Sequence, residues 1–493
     1  MKSISIYTCF LSLIFNCLVL KGQERPNILL IMSDNQSWNH LGAYGDSVIK
    51  TPNIDQVAQK GIIYSNVFCG SPSCTPSRAG LLTGQDIYRL KEGANLWGIL
   101  PKEFDSYVDL LEKSGYQVGY EGKGWGPGNI EASGRSRNPG GDLYADFETF
   151  LKKNEDNGQS PWHYWFSSKH PHRPFKTGSG KESGMAIDKI KVPPYLPDSK
   201  EVREDIADYY YAIQEFDQEV GQLLATLKNN GQEKNTLIII CSDNGWQMPR
   251  GLANVYDAGA RVPLIFNWSG NITAGKAEQL VNLNQLAPTI LKAAGLPIPT
   301  DMTAQAIDFI DKAENTEDFI IMARERHALV RKNGLGYPVR AIRTAEYLYI
   351  LNLESERWPA GEPPLFGDVD AHMLHYPSAS KIFILANKNN PKYKRFFEYA
   401  FEKRPEEELY KLATDPDQLI NLANKKEYHH EKEKLKQRLI AYLKSTGDPR
   451  FTGGSIIWDE STYYQKRDFN PKPSEEARKA LNLEKEYHYF ENK

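Results

Sequence analysis

Asn27-Ile28-Leu29-Leu30-Ile31-Met32-Ser33-Asp34 is the stretch that decides the fold. An apolar run without alternation, ended abruptly by an acid, suits a strand buried on both faces of a mainly parallel sheet. The pattern returns in Thr236-Leu237-Ile238-Ile239-Ile240-Cys241, which closes on Ser242-Asp243-Asn244-Gly245. Ligands of doubly wound sheets bind off the carboxyl ends of the strands. Asp34 and the Asp243-Asn244 pair are therefore expected at a functional edge on pattern alone.

The segments between fill in the same architecture. Thr51-Pro52 opens a short helix that uses Ile54, Val57 and Ala58 and stops at Gly61. Residues 62–68 read as extended, a helix begins near Cys74, and Ser106 to Ser114 is amphipathic before a strand near Gln117 to Tyr120. Val202 to Asn229 forms a long helix, with Ile206, Tyr210, Ile213, Phe216, Val220, Leu224 and Leu227 at helical spacing. Alternating strands and helices predict an α/β, doubly wound sheet. Beyond residue 313 the pattern changes: Phe319–Met322, Val339–Arg343 and Tyr347–Leu353 predict a small antiparallel sheet, followed by a charged helix over Glu427–Lys444. The expected division is a signal peptide at 1–22, a catalytic region at 23–313 and a C-terminal subdomain at 314–493, whose tail wraps the surface.

Composition narrows the class. The 493 residues exceed what one core supports, and 40% hydrophobic, 25% charged and 11% aromatic residues exclude disordered, collagen-like and coiled-coil chains. Lys+Arg at 60 against Asp+Glu at 63, a net charge of -3, argues against a nucleic-acid partner. Lys2 followed by the apolar Ile4 to Leu20 reads as a cleavable secretory signal, implying a periplasmic or secreted protein with no membrane attachment after cleavage. Five cysteines then reduce to Cys69, Cys74 and Cys241, too few for a disulfide framework.

Two carboxylates and two amide oxygens, from Asp34, Asn35, Asp243 and Asn244, make an oxygen ligand set without His or Cys beside it. Such a set implies a hard cation and disfavours zinc. Cys74 at a helix start is expected to have its thiolate favoured by the helix dipole, and the same helix end suits an anion.

Cys74-Thr75-Pro76-Ser77-Arg78, followed by Leu82-Thr83-Gly84, resembles the signature of type I sulfatases. The blocks Arg25-Pro26-Asn27-Ile28, Thr51-Pro52-Asn53-Ile54-Asp55 and Ser242-Asp243-Asn244-Gly245 resemble that family in the same order, as does Glu408-Leu409-Tyr410 with Asp415-Pro416 and Asn421-Leu422-Ala423. The resemblance implies a large mixed, mostly parallel, alkaline-phosphatase-like sheet sandwiched by helices. It also implies conversion of Cys74 to 3-oxoalanine (formylglycine) by a transiently bound maturation enzyme. Calcium would be held by Asp34, Asn35, Asp243, Asn244 and the modified residue 74. Arg78, Lys123 and His172 would complete the catalytic set, His172 as the acid that protonates a leaving alcohol.

Two departures are visible. Trp125 stands where the family often has histidine, leaving His40 as a substitute base, and Leu252 stands at a lysine place that Arg250 could serve. Arg261 reads as structural. Substrate selection falls to Trp97, Asn95, Arg250, His327, Arg324, Arg340 and Arg343, residue types that stack on sugar rings or pair with sulfate. The implied activity is hydrolysis of sulfate esters on carbohydrate, such as oligosaccharides of the algal glycan ulvan. Some blocks, Asn254-Val255-Tyr256 among them, also resemble N-sulfoglucosamine sulfohydrolases, so heparan fragments stay open as substrate. A phosphodiesterase or phosphonate hydrolase on this fold, and a non-catalytic glycan-binding protein, stay open as other classes.

Overall fold

A computed structural model describes residues 25–309 and 318–489. The expected signal at 1–22 and the expected boundary at 313/314 lie outside the described residues.

The large sheet has eight strands: β1 (Asn27–Ser33), β2 (Ile62–Phe68), β3 (Gln117–Gly122), β4 (Asp142–Leu143), β5 (Trp162–Ser167), β6 (Thr236–Ser242), β7 (Leu264–Trp268) and β8 (Gly275–Asn282). Their order is β4-β3-β5-β1-β6-β7-β2-β8. All neighbours are parallel except β7, which runs antiparallel to both β6 and β2. Every residue of β1 and β6 is buried, as two-sided apolar runs require. The pleat sends alternate side chains to opposite layers. Ile28, Leu30 and Met32 join one core, with Ala79, Leu81 and Leu82 of α2 (residues 74–83). Leu29 and Ile31 join the other core.

That second layer is led by one long helix. After α1 (Pro52–Gln59) and α2 come α3 (Tyr107–Lys113), α4 (Phe147–Asp156), the single turn α5 (Ser179–Glu182) and then α6 (Lys200–Asn229). Ser199 starts α6 by accepting the Val202 N–H. Ile206, Ile213, Phe216, Val220 and Leu227 are buried against the sheet as their spacing predicts, and Leu223 is buried in place of the expected Leu224. Ser106 and Asp109 close a reciprocal capping box on α3.

The predicted antiparallel sheet has four strands in the order β12-β11-β10-β9: β9 (Phe319–Arg324), β10 (Val339–Thr344), β11 (Tyr347–Asn352) and β12 (Glu407–Lys411). The fourth strand carries two glutamates and does not read as apolar. It pairs because Glu408 is satisfied inside, accepting from Asn352 Nδ2 and the Tyr256 hydroxyl, each at 2.7 Å. The expected charged helix spans His429–Ser445 and packs Leu435, Leu439 and Leu443 on this sheet. The tail wraps back over the first half of the chain: Asn95 Nδ2 donates to Trp458 O and Ser461 Oγ at 2.9 and 2.8 Å.

Arg340, expected at a substrate pocket, is instead buried between acids. Its Nε meets Asp448 Oδ2 at 2.5 Å and its Nη2 meets Glu325 Oε1 at 2.7 Å, with no exposed side-chain surface. Strand β10 directs it into the junction of sheet and tail, so its charge is already spent on the fold. Asn95, Arg324 and Arg343 are likewise consumed: Asn95 by the tail, Arg324 by Asp368 and the Ala253 carbonyl, and Arg343 by Asp257. Arg261 is structural as read, donating to the Ser65 carbonyl and lying over Trp38. Removing one partner of a buried ion pair strands the others. Arg340→Met should therefore destabilise the protein by about 3–5 kcal/mol, read as a lower urea midpoint. An unchanged midpoint would mean that this junction contributes nothing.

Candidate active site

The register of two strands builds the site. β1 and β6 are adjacent and parallel, with Ser33 opposite Ser242, so Asp34 and Asp243 leave the sheet side by side. The chain then turns sharply: Asn35 takes φ 68°, and its N–H donates to Asp243 Oδ1 at 3.0 Å. Helix α2 is packed with its start aimed at this edge. Cys74 is its first residue and Ser73 its N-cap, and every residue of the helix is buried. Ser77 Oγ donates to the Asp243 carbonyl, fastening α2 to the end of β6.

Cys74 Sγ lies 3.6 Å from Asp34 Oδ1, 3.6 Å from Asn35 Oδ1 and 3.7 Å from Asn244 Nδ2. Arg78, one turn on, donates from Nε to Asp243 Oδ2 at 2.8 Å and from Nη1 to Gly124 O and Ser167 Oγ at 2.7 and 2.6 Å. Its Nη2 stands 3.9 Å from Asp34 Oδ1. Lys123 Nζ donates to Asp34 Oδ2 at 2.7 Å. His172 lines the open side, its Nδ1 held at the Arg173 carbonyl. The cleft in front has a volume of about 560 Å³ and is walled by Asp34, Trp97, Lys123, His172, Lys176 and Glu215 among others. The structure thus brings Asp34, Asn35, Cys74, Arg78, Lys123, His172, Asp243 and Asn244 together, with Trp97 on the wall. His327 reaches Ser73 Oγ through Nδ1 at 2.8 Å.

Other expected positions fall elsewhere. Arg250, 2% exposed, donates to the carbonyls of Tyr399 and Gln418 and lies over the Tyr256 ring, because the loop after Gly245 turns it inward. It is not free to serve the lysine place, where Leu252 is fully buried. His40 packs among Tyr209, Tyr210 and Trp246 and lines a different cleft of about 430 Å³. Burial pushes its pKa down to about 4. Trp125 is a core side chain. Gln247 escaped the sequence reading, as no motif marks it. Its Oε1 accepts from Asn35 Nδ2 and the Arg173 N–H, joining the Asn35 amide to the His172 loop.

Electrostatics correct one expectation. Burial pushes the Cys74 thiol up to about 12; Asp243 and Asp34 add to this, and Lys123 and Arg78 oppose it. The helix start does not offset that desolvation, so Cys74 is held as a thiol. Burial also raises Asp34, yet Lys123, His172 and Arg78 outweigh it and hold the carboxyl well below the ordinary range. Burial lowers His172, while Asp34 pulls it back up. A cation fits the donors. Ligand atoms of Asp34, Cys74 and Asp243 lie within 4.8 Å of one another. Asn244 Oδ1 is buried beside them with no hydrogen-bond partner. An orphaned buried carbonyl costs about 1–3 kcal/mol, which a hard cation relieves.

Known proteins resemble this chain along most of its length. Residues 26–296 match the family model described as Sulfatase. An ulvan-active sulfatase of Formosa agariphila is 27% identical over 475 residues, covering 87% of this chain and 76% of that protein. The human N-sulphoglucosamine sulphohydrolase is 27% identical over 485 residues, covering 87% of this chain and 92% of that protein. A Bacteroides thetaiotaomicron structure reported from a glycosaminoglycan-metabolism locus superposes with a TM-score of 0.64 at 20% identity, over 87% of this chain and 98% of that one, and so shares the fold.

The thiol assignment has a direct test. With its pKa moved from 9.0 to about 12, the thiolate at pH 8 is scarcer by about a thousandfold. Unmodified folded protein should alkylate at Cys74 about that much more slowly than a free cysteine, with the rate still climbing above pH 9. A rate that levels off below pH 9 would contradict the burial argument.

Proposed function

The chain belongs to the sulfatase family, and on that premise we propose that it hydrolyses sulfate esters of carbohydrate, with oligosaccharides of ulvan as the first substrate class. One observation carries the reading: Cys74, at the start of a buried helix, faces Asp34, Asn35 and Asn244 at 3.6–3.7 Å. That thiol is protonated and poorly nucleophilic as it stands, so its place is better explained as the precursor of formylglycine. When present, formylglycine supplies a hydrated-aldehyde hydroxyl as nucleophile, and calcium supplies the charge that favours its deprotonated form.

The remaining work falls to the chain's own residues. Asp34, Asn35, Asp243 and Asn244 hold the cation. Arg78 fixes Asp243, and Lys123 fixes Asp34, which orients both carboxylates and keeps Asp34 ionised. The start of α2 and the Lys123 ammonium together favour an anionic sulfate over Cys74. His172 donates a proton to the ester oxygen of the leaving alcohol. An anion entering the cleft favours the imidazolium and so works against the effect of burial. Trp97 offers a flat face to a sugar ring, and His327 lies behind the helix start.

In this reading residues 23–313 carry the chemistry, and 314–493 close one side of the site. The protein is exported to the periplasm or beyond, loses residues 1–22, meets a maturation enzyme in passing and keeps no membrane attachment. No helix among the described residues is long and apolar enough to cross a bilayer. A second reading, removal of N-linked sulfate from glucosamine in heparan fragments, is favoured by the match to the human sulphohydrolase, which covers 87% of this chain and 92% of that protein.

Product analysis on ulvan and heparan oligosaccharides separates the two readings: sulfate release from one panel and not the other names the class. Cys74→Ser should abolish release, and equal release by both proteins would remove Cys74 from the chemistry. Asp243→Ala should lose calcium binding by calorimetry together with turnover, by at least about a thousandfold. Retained calcium with full turnover would place the cation elsewhere.

A further inference from the structure

The segment from Phe366 to Lys381 is held in an unusual conformation. Phe366, Asp370, His372, Met373 and Leu374 all take positive φ, between 29° and 63°. Left-handed backbone costs a non-glycine residue about 1–2 kcal/mol, and such strain persists only where surrounding contacts over-determine it. Those contacts are present. Arg173 Nε donates to Asp370 Oδ1 at 2.5 Å, and Ser378 Oγ donates to Asp370 Oδ2. Lys381 Nζ is buried and donates to the carbonyls of Phe366 and Val369, both at 2.8 Å. Arg173 is itself gripped by both oxygens of Asp205 at 2.8 Å. It follows His172 directly in the chain, so the loop is tied to the wall of the cleft.

The feature these clamps position is an imidazole. The His372 ring stacks between two others: 6.1 Å from His172 with planes 28° apart, and 5.3 Å from His327 with planes 22° apart. One end of the row, His172, lines the cleft with Asp34 and Lys123. The other end, His327, bonds Ser73, the residue before Cys74. The row therefore runs from the cleft wall to the start of α2. His327 is 1% exposed, and its Nε2 has no hydrogen-bond partner, an orphan that points to a missing ligand. Burial, with the adjoining imidazoles, holds His372 well below its usual pKa, so it presents a neutral ring with one N–H donor.

Resting on the sulfatase reading, we propose that His372 is a further substrate-contacting residue: its imidazole N–H donates a hydrogen bond to an oxygen of the sulfate group bound over Cys74, and His327 fixes the ring from behind. The C-terminal half of the chain thereby supplies a donor to a site otherwise assembled from the first half. No sequence motif marks it, because its place depends on the Arg173–Asp370 and Lys381 contacts and not on spacing.

The test uses binding as well as turnover. Cys74→Ser protein is titrated by calorimetry with a sulfated oligosaccharide that the wild-type enzyme desulfates. The titration is repeated with His372→Ala, His372→Phe and His372→Gln added, and melting temperatures report folding. A hydrogen bond to a charged group implies a loss of about tenfold or more in affinity for the alanine variant, with kcat/KM falling at least as far in the unblocked enzyme. His372→Phe keeps a flat ring in the stack but has no N–H, and should be as weak as alanine. His372→Gln restores a donor and should recover part of the loss. If His372→Phe binds and turns over like wild type, the ring only packs, and the proposal is wrong while the sulfatase reading stands. If the wild-type enzyme releases sulfate from no glycan, that reading falls and takes this proposal with it.

Discussion

The pairing of β1 with β6 is the constraint on which the site depends. Two parallel strands in register end together, and each ends in an acid. Side by side and buried, two carboxylates repel unless something positive stands between or behind them. Arg78 and Lys123 supply that charge from α2 and from the end of β3, Arg78 to both acids and Lys123 to Asp34. The balance is local and nearly neutral, so an added cation and an added anion can enter together without leaving a large uncompensated charge.

Burial, more than exposure, sets the chemistry. The start of α2 is often thought of as activating a cysteine, yet here desolvation wins and the sulfur stays protonated. Desolvation also raises Asp34, but three cationic or basic neighbours outweigh it and keep that carboxyl ionised. The two groups lie in contact and are driven opposite ways. The difference is one of neighbours: the acid has Lys123 and Arg78 as direct partners, while the sulfur sits against the acids themselves.

Much of the fold was legible because its strands are extreme. Apolar runs such as Ile28–Met32 and Leu237–Cys241 have no other stable home than a doubly covered sheet. Strand β12 was less legible, since Glu408 is buried by partners distant in sequence. The oxygen donors Asp34, Asn35, Asp243 and Asn244 stood out by their positions at strand ends, and Cys74 by the signature it opens. Arg250 and Arg340 misled because an arginine's type says nothing about whether an acid or a carbonyl has already claimed it. Gln247 and His372 were invisible for the complementary reason. Each is ordinary in sequence and gains meaning only from groups that the fold brings beside it, Asn35 and Arg173 in one case and two imidazoles in the other.

The enclosure of Cys74 has a consequence for timing. The residue is 4% exposed, its helix is wholly interior, and Ser77 and Arg78 pin that helix to the strand ends. No second protein could seize the sulfur without prising α2 out of the sheet edge. An enzyme acting on this side chain would therefore have to reach it before α2 settles against the strand ends.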